Sequence, residues 1–168
     1  MSRGCGVADF ATATITMQVL IADLNLSQHA NAVVSLLDMY CQDFFGKLAP
    51  LENDVRQRLI RGLKDAGGTC FLAHSGEAFV GLAICLPSFS SFRARPLLNI
   101  HDIAVVPEHR GKGIGRALLA AIEQEARRRG CAKITLEVRS DNSLAMDLYR
   151  RCGFRGTEPE TLYWSREL

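Results

Sequence analysis

The chain reads as an α/β (α+β) protein built on a mixed central sheet. Three observations predict this. Strand-like and helix-like segments alternate along it, with two helical segments together near the start and three strand-like ones in the middle. An apolar run ending at Pro107 passes through a glycine loop, Arg110-Gly-Lys-Gly-Ile-Gly115, into a long helical pattern. The chain has 168 residues and is 48% hydrophobic, enough for one domain with a real core.

Residues 1–12 read as a loose leader and residues 13–168 as a single domain. Residues 14–22 are rich in Ile, Val, Thr and Met and read as a strand. Ser27 suits the start of a helix running to about Phe45, with Val33, Val34, Leu36, Leu37 and Tyr40 as its apolar face. Pro50 suits the start of a second helix to about Lys64, carried by Leu51, Val55, Leu59, Ile60 and Leu63. Gly67-Gly68 breaks it. Residues 69–74 and 77–86 are strands about a Ser75-Gly76 turn. Residues 87–96 read as a loop and 97–106 as the next strand.

Residues 113–129 form the long helix; Ile114, Ala117, Leu118, Ala121, Ile122 and Ala126 keep the spacing of one buried face. Residues 133–138 are β-branched and apolar, as in a strand. Asp141 or Asn142 caps a last helix, which Gly153 closes, and residues 154–157 and 161–165 read as a final strand pair. The predicted order is β-α-α-β-β-β-α-β-α-β-β.

Composition excludes several classes. A net charge of +2 is too balanced for a nucleic-acid protein. The cluster Arg127-Arg128-Arg129 ends a helix, where cations offset the dipole. The longest apolar run, residues 78–86, is too short to span a bilayer as a helix, and the first residues lack the apolar region of a signal peptide. Cysteines stand at 5, 41, 70, 85, 131 and 152, with no pair at zinc-site spacing. We expect a reduced cytoplasmic protein with no metal and no disulfides. Asn25-Leu-Ser27 forms a glycosylation sequon that is silent without secretion.

The glycine loop carries the chemistry. Glycine admits a tight turn and a close ligand. The first amides of a helix have no internal partner and bind phosphate oxygens. Arg110, Lys112 and Arg116 add positive charge. Lys112 is followed by Gly113, so the loop is not the G-x-x-x-x-G-K-[ST] of kinases and ATPases. Gly111, Gly113 and Gly115 are each two apart, so it is not a dinucleotide fingerprint.

The arrangement R-x-x-G-x-G, at Arg110, Gly113 and Gly115, resembles the acyl-coenzyme A loop of the GNAT N-acetyltransferases. The stretch from Val138 through Asn142, Ala145 and Tyr149 to Gly153-Phe154 follows that family's V-x-x-x-N-x-x-A-x-x-x-Y-x-x-x-G-F pattern at every fixed position. The close resemblance covers residues 97–157.

The resemblance implies the GNAT fold, whose sheet splays between two parallel strands, and acetyl-CoA as cosubstrate. The pantetheine arm would bond the backbone of Ile103, Ala104 and Val105, and its pyrophosphate would lie on Arg110, Gly111, Lys112, Gly113, Ile114, Gly115 and Arg116. Asn142 would hold the arm, and Tyr149 would protonate the leaving thiolate. Leu136-Glu-Val-Arg139 resembles the same segment of the ribosomal-protein alanine N-acetyltransferases, which makes Glu137 the candidate base. Asn99, His101 and Asp102, on the preceding strand, form a rival group. His29, His74 and His109 have no partner pattern and read as surface residues.

The expected activity is acetyl transfer to a primary amine, most naturally of a small molecule. The alternatives are a protein N-terminal or lysine acetyltransferase and a non-catalytic acyl-CoA-binding module. Asp38, Asp43, Glu52, Glu158 and Glu160 would suit a cationic acceptor. Enzymes of this resemblance are often homodimers. No nucleic-acid or membrane partner is expected.

Overall fold

A computed structural model describes residues 17–167. Strand β1 is Met17–Ile21, and helices α1 and α2 are Ser27–Cys41 and Asn53–Asp65. Strands β2, β3 and β4 are Thr69–Ser75, Ala78–Ser90 and Arg95–Val105. A short 3-10 turn, Pro107–His109, leads to α3, Ile114–Arg128. Strand β5, Ile134–Leu136, and α4, Ser143–Arg151, follow. Residues 14–16 of the first predicted strand, the 1–12 leader and Cys5 lie outside the described residues.

The sheet has order β1-β2-β3-β4-β5. The first four strands are antiparallel and β5 is parallel to β4, so the sheet is mixed as predicted. Both faces are covered, which explains the continuous burial of residues 69–73 in β2. Val33, Leu36 and Leu63 of α1 and α2 pack with Leu72, Leu82 and Ile84 on one face. On the other face Ile114, Leu118 and Ile122 of α3, with Tyr149 of α4, pack on Phe71, Ala83, Leu98 and Ile100. No helix among the described residues is long and apolar enough to cross a membrane.

Several boundaries depart from the sequence reading. Helix α1 stops at Cys41, before Phe45. Helix α2 starts at Asn53 instead of Pro50, because Asp38 takes the Leu51 amide (2.8 Å) and holds the approach extended. The expected 87–96 loop is mostly ladder. Pro87 pairs with Leu98 and Pro96 with Phe89 in an exposed ribbon beyond the covered sheet. Prolines are tolerated at such a margin.

The largest departure follows α4. Residues 154–167 form no strand, so the expected final pair is absent. Thr157 and Thr161 bond to each other (2.9 Å), and Leu162, Tyr163 and Trp164 stand exposed. Their residue types favour a strand, but a strand needs a ladder partner, and among the described residues this segment meets none.

Candidate active site

The site begins where two strands part. β4 and β5 share three rungs, Leu98–Ile134, Asn99–Thr135 and Ile100–Leu136. The ladder then ends at Leu136, two residues short of the end of the strand expected over 133–138. Among the described residues no strand pairs with 101–105 on that side. The cause lies in β4. Ile84 pairs with Asp102 and Cys85 with Ile100, so His101 is one residue too many. Such a bulge bends its strand and increases the twist. On the side of the opening, among the described residues, the backbone of Ile103 and Ala104 is left without a strand partner.

The glycine loop closes the carboxyl end of β4. Gly113 caps α3 with φ +83°, a left-handed conformation suited to glycine, and an added Cβ would meet no protein atom within 4 Å. Gly111 is similarly open. The first helical bond of α3 is Ala117 N–H to Gly113 O (3.0 Å), so the amides of Ile114, Gly115 and Arg116 precede the ladder and are left for a ligand. The side chains of this group divide. Lys112 and Arg116 are exposed. Ile114 is buried in the core. Gly115 serves packing, since a Cβ there would lie 2.9 Å from Leu148 of α4.

Arg110 is tied into the protein. Its Nε donates to Val105 O (3.0 Å) and its Nη2 to Asp43 Oδ2 (2.6 Å). The pairing holds the Asp43 carboxyl below its usual range. Asp38 is also committed, to Arg56 and to the Leu51 amide. Neither aspartate is therefore a free anion for a cationic acceptor.

Helix α4 brings the second motif to the opening. Asn142 caps it, its side-chain oxygen accepting from Ala145 N–H (3.1 Å), which settles the choice between Asp141 and Asn142. Asp141 instead pairs with Arg139. Tyr149 is buried beside Phe154, with ring centroids 5.9 Å apart. Burial, reinforced by Tyr40, pushes its pKa up to about 12. Its phenol is thus protonated at neutral pH.

Tyr40, whose spacing makes it one more member of the apolar face of α1, also has polar neighbours. Burial raises its pKa, as do Asp102 and Asp43, while Arg139 lowers it. Tyr40 and Tyr149 come from helices on opposite faces of the sheet, yet each feels its surroundings near the gap between β4 and β5. The sequence offered no signal beyond a tyrosine near the end of α1.

The candidate base Glu137 and the rival group of Asn99, His101 and Asp102 lie on the two sides of the opening. Glu137 lies one residue past β5 and is exposed. Asp102 lies one residue past the bulge, partly buried, and burial raises its pKa against an opposing pull from His101. His101 itself is exposed. Asn99 does not join them; its amide donates to Thr135 Oγ1 (3.1 Å). Among the described residues no three His, Cys, Asp or Glu side chains are placed to hold a metal.

Comparison with known proteins bears on this geometry. Residues 33–154 match the family model for the acetyltransferase (GNAT) family. Streptothricin acetyltransferase of Streptomyces lavendulae is 41% identical over 92 residues, 54% of this chain and 47% of that one. Aminoglycoside N(6')-acetyltransferase type 1 of Stenotrophomonas maltophilia is 30% identical over 115 residues, 66% of this chain and 75% of that one. The chain thus spans about half the length of the first relative and three quarters of the second. In fold it superposes on an aminoglycoside acetyltransferase from an uncultured soil metagenomic sample, with TM-score 0.75 and 18% identity, covering 90% of this chain and 96% of that one.

Proposed function

The chain belongs to the GNAT acetyltransferase family, and from that premise we propose that it transfers an acetyl group from acetyl-CoA to a primary amine of a small molecule. The observation that carries this reading is the parting of β4 and β5 beside a glycine loop with open amides. Acetyl-CoA is the family's cosubstrate, and the chain offers a place for each of its parts. The amides of residues 114–116, with Lys112 and Arg116, suit a pyrophosphate. The unpaired backbone at Ile103 and Ala104 suits the amides of a pantetheine arm, and Asn142 keeps its amide nitrogen for the same arm. The names of the streptothricin and aminoglycoside relatives favour a small-molecule acceptor.

The reaction joins the amine nitrogen to the acetyl carbon and breaks the carbon–sulfur bond. The thiolate that leaves needs a proton, and the nitrogen must lose one. In our reading Tyr149 supplies the first from a phenol that burial keeps protonated. A carboxylate on one lip of the opening takes the second, Glu137 on the β5 side or Asp102 on the β4 side. Burial favours Asp102, because a raised carboxyl pKa brings a base nearer to neutral pH.

The test is thiol release from acetyl-CoA with a panel of small primary amines, before and after Tyr149→Phe. Wild type should release thiol only when a suitable amine is present. The variant keeps the ring and its packing, so kcat should fall about 10²–10⁴-fold with acetyl-CoA affinity unchanged. Equal turnover in both proteins would remove Tyr149 from the chemistry. Absence of any amine-dependent release across the panel would remove the small-molecule reading.

A further inference from the structure

Three consecutive residues after α1 reach both sides of the opening. Asp43 bonds Arg110, which in turn holds the Val105 carbonyl at the end of β4. Phe44 and Phe45 lie on the other side, with the Arg139 guanidinium carbon 5.8 Å and 5.7 Å from their ring centres. Arg139 follows β5 and is fixed by two bonds to Asp141, next to the cap of α4. Residues 43–45 are therefore a strap laid from the phosphate loop across to the far lip. A tight turn shapes it. Phe45 N–H donates to Asp43 Oδ1 (3.2 Å), Gly46 N–H to Asp43 O (2.9 Å) and Lys47 N–H to Cys41 O (2.7 Å).

The Asp43–Arg110 tie conflicts with the loop's task. Arg110 heads a loop built to receive a diphosphate, and phosphate oxygens compete with a carboxylate for the same guanidinium. They also repel that carboxylate. Both forces act in one direction, away from the tie.

We propose that Asp43 is a positioning residue that couples the two substrate sites: it holds the strap on Arg110 while the phosphate loop is empty, and a diphosphate on the loop releases it. This rests on the acetyl-CoA reading above. The strap carries Phe44, an exposed aromatic, and Phe45 beside the β5 lip, where an acceptor would come. Acetyl-CoA thereby prepares the acceptor side. By linkage the coupling is reciprocal, so an acceptor that displaces the strap tightens acetyl-CoA binding by the same factor.

Amide hydrogen exchange with coenzyme A as the probe tests this, together with calorimetric titration. In the wild type, coenzyme A should slow exchange at residues 114–116 and speed it at Phe45, Gly46 and Lys47. Asp43→Asn keeps an oxygen for the Phe45 amide but loses the charge. Its strap amides should exchange fast without ligand and respond no further. Its affinity for coenzyme A should rise about fivefold, the low end of allosteric couplings. Slowing at 114–116 with no strap response in the wild type would overturn the coupling alone. So would unchanged or weaker binding by the variant. No slowing at 114–116 in either protein would remove the acetyl-CoA reading, and the coupling with it.

Discussion

β4 and β5 lie side by side for three rungs and then differ in almost every respect. β4 is eleven residues long and paired with β3 at every residue but His101. It carries a bulge, a partly buried aspartate and, beyond its end, the phosphate loop. β5 is three residues long, and the chain after it, residues 137–140, is exposed. One lip of the opening is part of the core and the other is a margin. The lesson concerns the carboxyls. Asp102 and Glu137 stand within a residue or two of the same last rung, yet only Asp102 sits where burial can tune it.

The largest expected effect tests that contrast directly. Asp102→Asn should lower kcat/KM about 10²–10⁴-fold near neutral pH, and Glu137→Gln much less. The reverse order would place the base on the exposed lip. Stability gives a second, independent reading. The folded pKa of Asp102 lies above its unfolded value, so its contribution is full below the unfolded pKa and is lost as pH rises through the folded one. Urea unfolding across pH should show that loss in the wild type. Asp102→Asn cannot ionise and should escape it, so its stability relative to wild type should be greater at neutral pH than in acid, while its activity is lost. A variant that loses both would make Asp102 a structural residue.

A smaller effect probes how the firm lip is held. Helix α3 rests on Gly81 of β3, where a Cβ would lie 2.9 Å from Ile114 and 3.3 Å from both Ala73 and Leu118. Gly81→Ala forces Ile114 outward. Overpacking of this kind costs about 1–3 kcal/mol. Ile114 is also the first residue of α3, so acetyl-CoA affinity should fall along with the unfolding midpoint. Lost stability with unchanged affinity would mean that the phosphate loop is held independently of this contact.

Much of this was legible in the residues. Arg110, Gly113 and Gly115, and the pattern from Val138 to Phe154, located the loop and α4, and the helices and strands from β1 to α4 follow the apolar periodicity. What escaped has a common cause. Periodicity reports which face a residue takes, not whether it has a partner. It could not show that His101 is unpaired, and so that the strands part there. It read residues 87–96 as a loop because prolines seldom sit in ladders, although an exposed ribbon accepts them. It gave residues 154–157 and 161–165 strand character without asking what they would pair with. The Asp43–Arg110 tie joins positions 67 apart in sequence, and Tyr40 looked like any apolar helix residue.

The smallest expected effect concerns the last polar tie between the two lips. Asn99 donates to Thr135 across the middle rung, one step before the strands part. Thr135→Val keeps the β-branched shape that suits a strand and removes only the acceptor. A neutral hydrogen bond of this kind is worth about 0.5–1.5 kcal/mol net. The Asn99 amide, partly buried, would lose its partner, so the cost should approach the upper part of that range. Global unfolding alone cannot say whether the tie governs the opening, because a three-rung strand contributes little to it. Hydrogen exchange at the amide of residue 135 can, because the Leu98 N–H to Lys133 O bond (3.3 Å) and the parallel register turn that amide toward β4. If the bond pins β5 against β4, this amide should exchange faster in the variant while α3 is unchanged, and the KM for acetyl-CoA should rise. If exchange at β5 stays as in the wild type, the backbone rungs alone set where the strands part, and the bulge at His101 is sufficient to open the site.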